Sequence, residues 1–331
     1  MSRSSRLDWL TFAALGFFWG SSYLFIKIGV ETLTPFTLIA ARLAIGAALL
    51  AIVLVARHVP IPRDPRTYGH LTVMALVNIV IPFSLITWGE QSIDSALASI
   101  LTGIVPLFTI VLAALVLADE PMTVNRLVGL LIGFGGVVLL TSPSIGSGLG
   151  SSLAGELALI GASIAYAAGN VYSRRNVRGL HPMIPAFFQV FIAFVVATVL
   201  ALGLEHPFSL RIEPSSVISV LWLGIFGSGI AYLAFFRLLG NWGSTRSSMV
   251  AYLLPVVGIA LGILVLHETI DIRVLAGTAL IIGGVALVNS GFGQRRLFGR
   301  TISPASAAAA RAAPRIDASR AETRSGEARP S

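Results

Sequence analysis

Apolar residues along this chain neither alternate nor form stripes; they come in blocks. Ten runs stand out: Leu10–Val30, Pro35–Val55, Leu71–Trp88, Ser95–Leu117, Leu127–Thr141, Gly155–Ser173, Met183–Leu204, Val217–Leu239, Ser244–Leu266 and Val274–Ser290. A helix of about 20 apolar residues matches the hydrocarbon thickness of a bilayer. In lipid the backbone must satisfy its own hydrogen bonds, and these runs lack the alternation of a barrel strand. The pattern predicts an all-α membrane protein with ten transmembrane helices. The fifth run is short, and its helix is expected to begin nearer Thr123. The first run follows Arg3 and Arg6 as a signal peptide would. It is too long for one, contains Lys27 and lacks a small-residue cleavage site, so it reads as a retained span.

The second half repeats the first. Ser95–Leu140 and Ser244–Val288 align with one single-residue gap, matching Pro106 to Pro255, Glu120 to Glu268 and Gly135-Gly136 to Gly283-Gly284. Span 1 aligns with span 6 (Trp19 to Tyr166, Lys27 to Arg174), and span 2 with span 7 (Pro35 to Pro182, Arg42 to Gln189). Five spans is an odd number, so the second half enters from the opposite face, giving two inverted five-helix repeats. The expected organisation is a cytoplasmic N-terminus (1–9), a first repeat (10–141), an external linker (142–154), a second repeat (155–292) and a tail (293–331). The tail holds eight Arg against three acids among Ala, Ser and Pro, and is expected to be disordered.

Charge fixes the orientation. Only 11% of residues are charged, against about 25% in soluble domains, and mean hydropathy is +0.86. Of the net +8, the loop arginines fall mainly on one face: Arg3 and Arg6, then Arg57, Arg63 and Arg66, then Arg126, then Arg174, Arg175 and Arg178, then Arg246. The alternate loops hold Glu31, then Glu90 and Asp94, then no charge in Ser142–Ala154, then Glu205, Arg211 and Glu213, then Glu268, Asp271 and Arg273. The positive-inside rule puts both termini in the cytoplasm of a multi-pass inner (plasma) membrane protein.

What is absent narrows the chemistry. No folded basic surface invites nucleic acid. Without cysteine there is no thiolate site, and His58, His70, His181, His206 and His267 lack metal-ligand spacing. No phosphate-binding loop, zinc-protease or serine-hydrolase motif appears, so neither an enzyme nor a cofactor is expected.

Several residues stand out within the spans. Lys27, the only lysine, lies near the outer end of span 1; it either snorkels or faces a cavity, paired with Glu31. Arg42 lies roughly 10 Å into span 2, where a charge faces a bundle interior or caps loosened carbonyls. Pro106 and Pro255 fall mid-span and free the carbonyls of Thr102 and Ala251, either as plain kinks or beside a pocket that includes Thr102 and Tyr252. Trp19 and Tyr23 in span 1, with Tyr166 and Asn170 in span 6, supply aromatic walls and few polar groups, as a small-molecule pocket does. Ser21 and Ser22 read as helix-packing residues. Gly16-Xaa3-Gly20, Gly129-Xaa3-Gly133 and Gly258-Xaa3-Gly262 read as packing motifs first and homodimer motifs second. No carboxylate sits deep in a span, so none is visible for proton coupling, nor at a depth that neutralises both Lys27 and Arg42.

These residues resemble the drug/metabolite transporter superfamily, specifically its ten-span EamA-type members, over residues 8–292. The resemblance rests on Phe18-Trp19-Gly20-Ser21-Ser22 running to Lys27, on Arg42, on the regions around Pro106 and Pro255, on Glu120 and Glu268, and on the Gly-rich spans 5 and 10. Span 6 departs from it, with Tyr166-Ala167 where span 1 has Trp19-Gly20. The resemblance implies export, or sometimes uptake, of amino acids, related metabolites or drugs. The expectation is a secondary transporter working by alternating access. Its pocket lies between spans 1, 4, 6 and 9, and its positive vestibule favours substrates with a carboxylate. Multidrug efflux is the nearest alternative; a membrane-embedded enzyme or a channel belongs to another class.

Overall fold

The computed structural model describes residues 6–117, 120, 122–146, 151–177, 179–210, 212–288, 290 and 296–298. Among the described residues ten main helical stretches follow one another, with a 3-10 turn (Pro207–Ser209) before the eighth. The first comprises α1 (Arg6–Gly20) and α2 (Ser22–Gly29), and the second is α3 (Pro35–Ala56). The third runs through α4 (Pro65–Ala75), a π-helical turn (Leu76–Val80) and α5 (Ile81–Gly89); the fourth is split into α6 (Ser95–Thr102) and α7 (Val105–Val116). Then come α8 (Val124–Gly146), α9 (Ser151–Asn176) and α10 (Met183–Leu204). The eighth joins α11 (Pro214–Trp222), a π-helical segment (Leu223–Ile230) and α12 (Ala231–Ser248). A 3-10 turn (Met249–Tyr252) leads into α13 (Leu253–Leu266), and α14 (Ile272–Val288) is last. Among the described residues nine helices are long and apolar enough to cross a membrane, and α14 is a shorter apolar helix. Leu131, Val138, Val199 and Leu264 stay more than 60% exposed, as side chains facing lipid would.

Helix α8 starts at Val124, close to the expected Thr123. The eighth stretch departs from expectation: α12 continues to Ser248, through the loop placed near Leu239–Ser244. Tertiary contacts hold that segment helical. Asn241 Nδ2 donates to Asp8 Oδ1 at 2.9 Å, and Trp242 packs 4.8 Å from Trp9, ring centre to ring centre. Arg246 therefore lies on a helix. Residues Arg296–Phe298, part of the stretch read as a disordered tail, form a strand β2 antiparallel to β1 (Met122–Thr123).

Matching stretches of the two halves lie against each other: α3 on α10, α8 on α14, and α6 on α13. Glycine makes the closest of these contacts. A Cβ on Gly129 would sit 2.5 Å from the Gly284 carbonyl oxygen, and one on Gly136 2.7 Å from that of Gly277. Gly20 meets Val257, and Gly258 meets Ser99. The three Gly-Xaa3-Gly pairs thus pack helices within the chain.

Candidate functional site

The two mid-span prolines mark breaks. Between α6 and α7 the helix gives way at Gly103–Ile104, and Pro106 falls in the first turn of α7, where a missing N–H leaves nothing unsatisfied. In the ninth stretch the 3-10 turn Met249–Tyr252 precedes Pro255. The breaks meet, since a Cβ on Gly103 would lie 3.1 Å from Pro255 Cγ. Thr102 is buried and its hydroxyl donates to the Ala98 carbonyl at 2.9 Å.

Arg42 occupies the centre. It is 3% exposed, its Nε donates to Ser228 Oγ at 3.2 Å, and its guanidinium carbon lies 4.4 Å from the Phe83 ring centre. Tyr166, Tyr232 and Tyr23 lie near enough to act on it electrostatically, and Tyr23 lies beside Thr102. Among the described residues no carboxylate lies within salt-bridge distance of Arg42. Its repeat mate Gln189 makes the corresponding reach: Asn78 Nδ2 donates to Gln189 Oε1 at 3.2 Å. Ser228 and Asn78 both sit on π-helical segments, so each half extends one polar side chain from its second stretch to a π turn of the other half. Such turns widen a helix and recur at functional sites.

One end of the bundle is tied by carboxylates and an amine. Glu268, just past α13, accepts from the Ser95 amide and hydroxyl at 2.8 Å each and from the Ala96 amide at 3.0 Å, capping α6. Glu205, just past α10, accepts from the Phe36 and Thr37 amides at 3.0 and 2.9 Å, capping α3. Lys27 forms no salt bridge with Glu31 among the described residues; its Nζ donates to the carbonyls of Glu90 (2.8 Å) and Ile93 (2.7 Å). Glu90 itself is fully buried, with Lys27, Glu268 and Arg42 as charged neighbours. Glu90 thus lies near Lys27 and Arg42, with a salt bridge to neither among the described residues. It terminates an apolar run, and only the packing around that end buries it.

At the far end of α6–α7, Glu120 pairs with Arg126 at 2.6 Å and with Arg174. Burial raises its carboxyl, but the two guanidinium hydrogen bonds outweigh that and hold it below the usual range. A cavity of about 400 Å³ opens beside this end between α7 and α9, lined by Leu112, Val116, Ala168, Val171, Tyr172 and Arg175.

Of the residues expected to form a pocket, Tyr23, Arg42, Thr102 and Tyr166 gather at the centre, and Pro255 meets the break before Pro106. Tyr252 packs against the same core, while Trp19 belongs to an adjoining aromatic cluster, 6.3 Å from Tyr232 and 5.5 Å from Phe235. Lys27 lies at the end of the bundle, and Asn170 is exposed one turn beyond Tyr166. Ser21 and Ser22 are buried, and both hydroxyls donate to the Phe18 carbonyl, as packing residues would. Phe83, Glu90, Ser228, Tyr232 and Asn78 escaped the sequence reading. Arg42 carried the one available signal, since a buried charge needs partners on facing helices.

The EamA-like transporter family model matches residues 8–142 and 153–290. The chain is 30% identical over 282 residues to "Uncharacterized inner membrane transporter YedA" of Escherichia coli, covering 84% of this chain and 89% of that protein. It is 27% identical over 281 residues to "Uncharacterized transporter YvbV" of Bacillus subtilis (85% and 91% covered). It is 26% identical over 290 residues to "Probable amino-acid metabolite efflux pump" of Salmonella typhimurium (84% and 93%). A solved crystal structure 23% identical in sequence shares the fold, with a TM-score of 0.63 over 87% of this chain and 97% of its own.

Proposed function

Because the chain belongs to the EamA-like transporter family, we propose that it exports small metabolites bearing a carboxylate, amino acids or their relatives, by alternating access. It does so as ten spans in two inverted five-helix repeats with both termini in the cytoplasm. The observation that carries the substrate class is Arg42, a buried cation over Phe83, with Tyr166, Tyr232, Glu90 and Tyr23 near it and no carboxylate within salt-bridge distance among the described residues. A guanidinium presents paired donors that match a carboxylate, and the aromatic faces accept an apolar side chain. The relative named as an amino-acid metabolite efflux pump agrees with that chemistry.

Alternation is supported by the exchange of partners between halves. Arg42–Ser228 and Gln189–Asn78 are related as the two members of an inverted pair, and α3–α10, α8–α14 and α6–α13 pack mate against mate. With the arginine-rich loops inside, the Lys27–Glu268 end faces outward and the Glu120–Arg174 end faces the cytoplasm. Proteoliposomes loaded with a panel of amino acids, nucleosides and cationic drugs test the proposal. Efflux of carboxylate-bearing compounds, reduced by Arg42→Gln in a protein that still folds, is the expected result. Efflux of cationic drugs alone would favour the multidrug reading.

A further inference from the structure

Glu90 follows the last residue of α5, its amide donating to the Ile86 carbonyl at 2.9 Å. Its side chain is 0% exposed, and neither carboxylate oxygen has a hydrogen-bond partner among the described residues. An ionised carboxylate held so would carry the desolvation penalty of a buried ion with nothing to offset it. The amine at hand, Lys27, spends two N–H groups on the carbonyl oxygens of Glu90 and Ile93 instead of the carboxylate. A neutral carboxyl fits this arrangement and a charged one does not.

We propose that Glu90 is a proton-binding site, protonated while this end of the bundle is closed, and that loss of its proton draws Lys27 off the carbonyls and loosens the closure. The proton is then a coupling ion for the transport proposed above; only that consequence rests on the transport reading.

The groups around it set the sign. From α2, Lys27 and Tyr23 face it; from α3, Arg42; from beyond α13, Glu268. Asp94 lies at the exposed rim near Lys27 and Glu268. On α9, which meets the end of α5 through Gly155 and Gly89, Glu156 is also buried and accepts from Ser152. Burial raises the Glu90 carboxyl well above the usual range, and Glu268 adds to it against the opposing pull of Lys27 and Arg42. The closed state therefore binds a proton that a hydrated, open state releases. Falling pH favours closure, and rising pH through the closed-state pKa favours opening, by up to about tenfold per pH unit for one proton.

Two measurements on the full chain in phosphatidylethanolamine–phosphatidylglycerol vesicles test this without a substrate. Infrared spectra near neutral pH should contain a protonated-carboxyl stretch that Glu90→Gln removes and Glu90→Asp shifts in frequency. Identical spectra in all three proteins overturn the proposal, and the Asp variant suffices should the Gln variant not insert. The chain has no cysteine, so Ala98→Cys, fully buried on α6, gives a single thiol. Its labelling by an impermeant external reagent, normalised to the exposed Gln91→Cys, should rise between about pH 6 and about pH 8 by roughly tenfold or more. With Gln at 90 the normalised rate should be flat; the same slope in both backgrounds refutes the coupling. A transport assay that fails for every substrate leaves both readouts intact, so the two ideas fail separately.

Discussion

The carboxylate of Glu268 caps a helix in the opposite half of the chain: Oε1 accepts from both the amide and the hydroxyl of Ser95 at 2.8 Å. A helix start offers unsatisfied N–H groups and a partial positive charge, and a carboxylate answers both. The contact joins the second repeat to the entry of the broken fourth stretch, so it must part if the two halves separate at this end. Gly262 keeps the space open; a Cβ there would overlap Glu268 Oε2.

Glu268→Ala should cost about 0.5–2 kcal/mol, the range for a lost helix cap, read as a lowered Tm. The same substitution should speed external labelling of Ala98→Cys, because the closed end loses a tie. Unchanged labelling would mean the cap is purely structural.

Arg42→Gln copies the repeat mate and removes the charge. Transport of a carboxylate substrate should fall about 10- to 100-fold, the scale of a lost charge-assisted hydrogen bond of about 1.5–3 kcal/mol. Arg42→Lys keeps the charge but loses the planar fork over Phe83, and should restore part of the activity. Full activity in Arg42→Gln with an unchanged Tm would make Arg42 structural.

Gly129 and Gly135 share α8 but not an environment. A Cβ on Gly129 meets the Gly284 carbonyl, whereas nothing lies within 4 Å of Gly135. Gly129→Ala should destabilise by about 1–3 kcal/mol through overpacking. Gly135→Ala should be neutral or gain up to about 1 kcal/mol from helix propensity. Paired melting curves in one detergent decide it.

Reporter fusions at Gly148 and Gly293, both outside the described residues, should give opposite sidedness, with Gly148 external. The same side at both positions would contradict five spans between them.

The two ends should respond differently to pH. Glu120 is held below the usual carboxylate range, so its pairing is complete above that range and is lost only as pH falls through the lowered value. The stability penalty of Glu120→Gln should therefore be equal at about pH 6 and about pH 8. A penalty that changes between them would place its titration higher.

The ten apolar runs were readable because lipid demands length and hydrophobicity of each helix separately, and most observed ends fall within a turn or so of the run ends. The π-helical turns at Leu76–Val80 and Leu223–Ile230 left no mark in composition, since an extra residue in a turn is settled by what the turn faces. The continuation of α12 through Asn241 and Trp242 likewise depends on Asp8 and Trp9, more than 200 residues away in sequence.

For the candidate site, Arg42, Tyr23, Thr102 and Tyr166 stood out in the sequence because polar groups within apolar runs need a reason to be there. Glu90 could not, because a carboxylate at the end of a run looks the same whether it meets water or a neighbouring helix. The sequence by itself determined the solvent of each segment and the kinship of the two halves, both of which are local or pairwise properties of the chain. Only the tertiary structure decided which charges find partners, sending Lys27 to two carbonyls, Glu268 to a helix start and leaving the Glu90 carboxyl with none among the described residues, because burial and hydrogen bonding depend on helices brought together from across the chain.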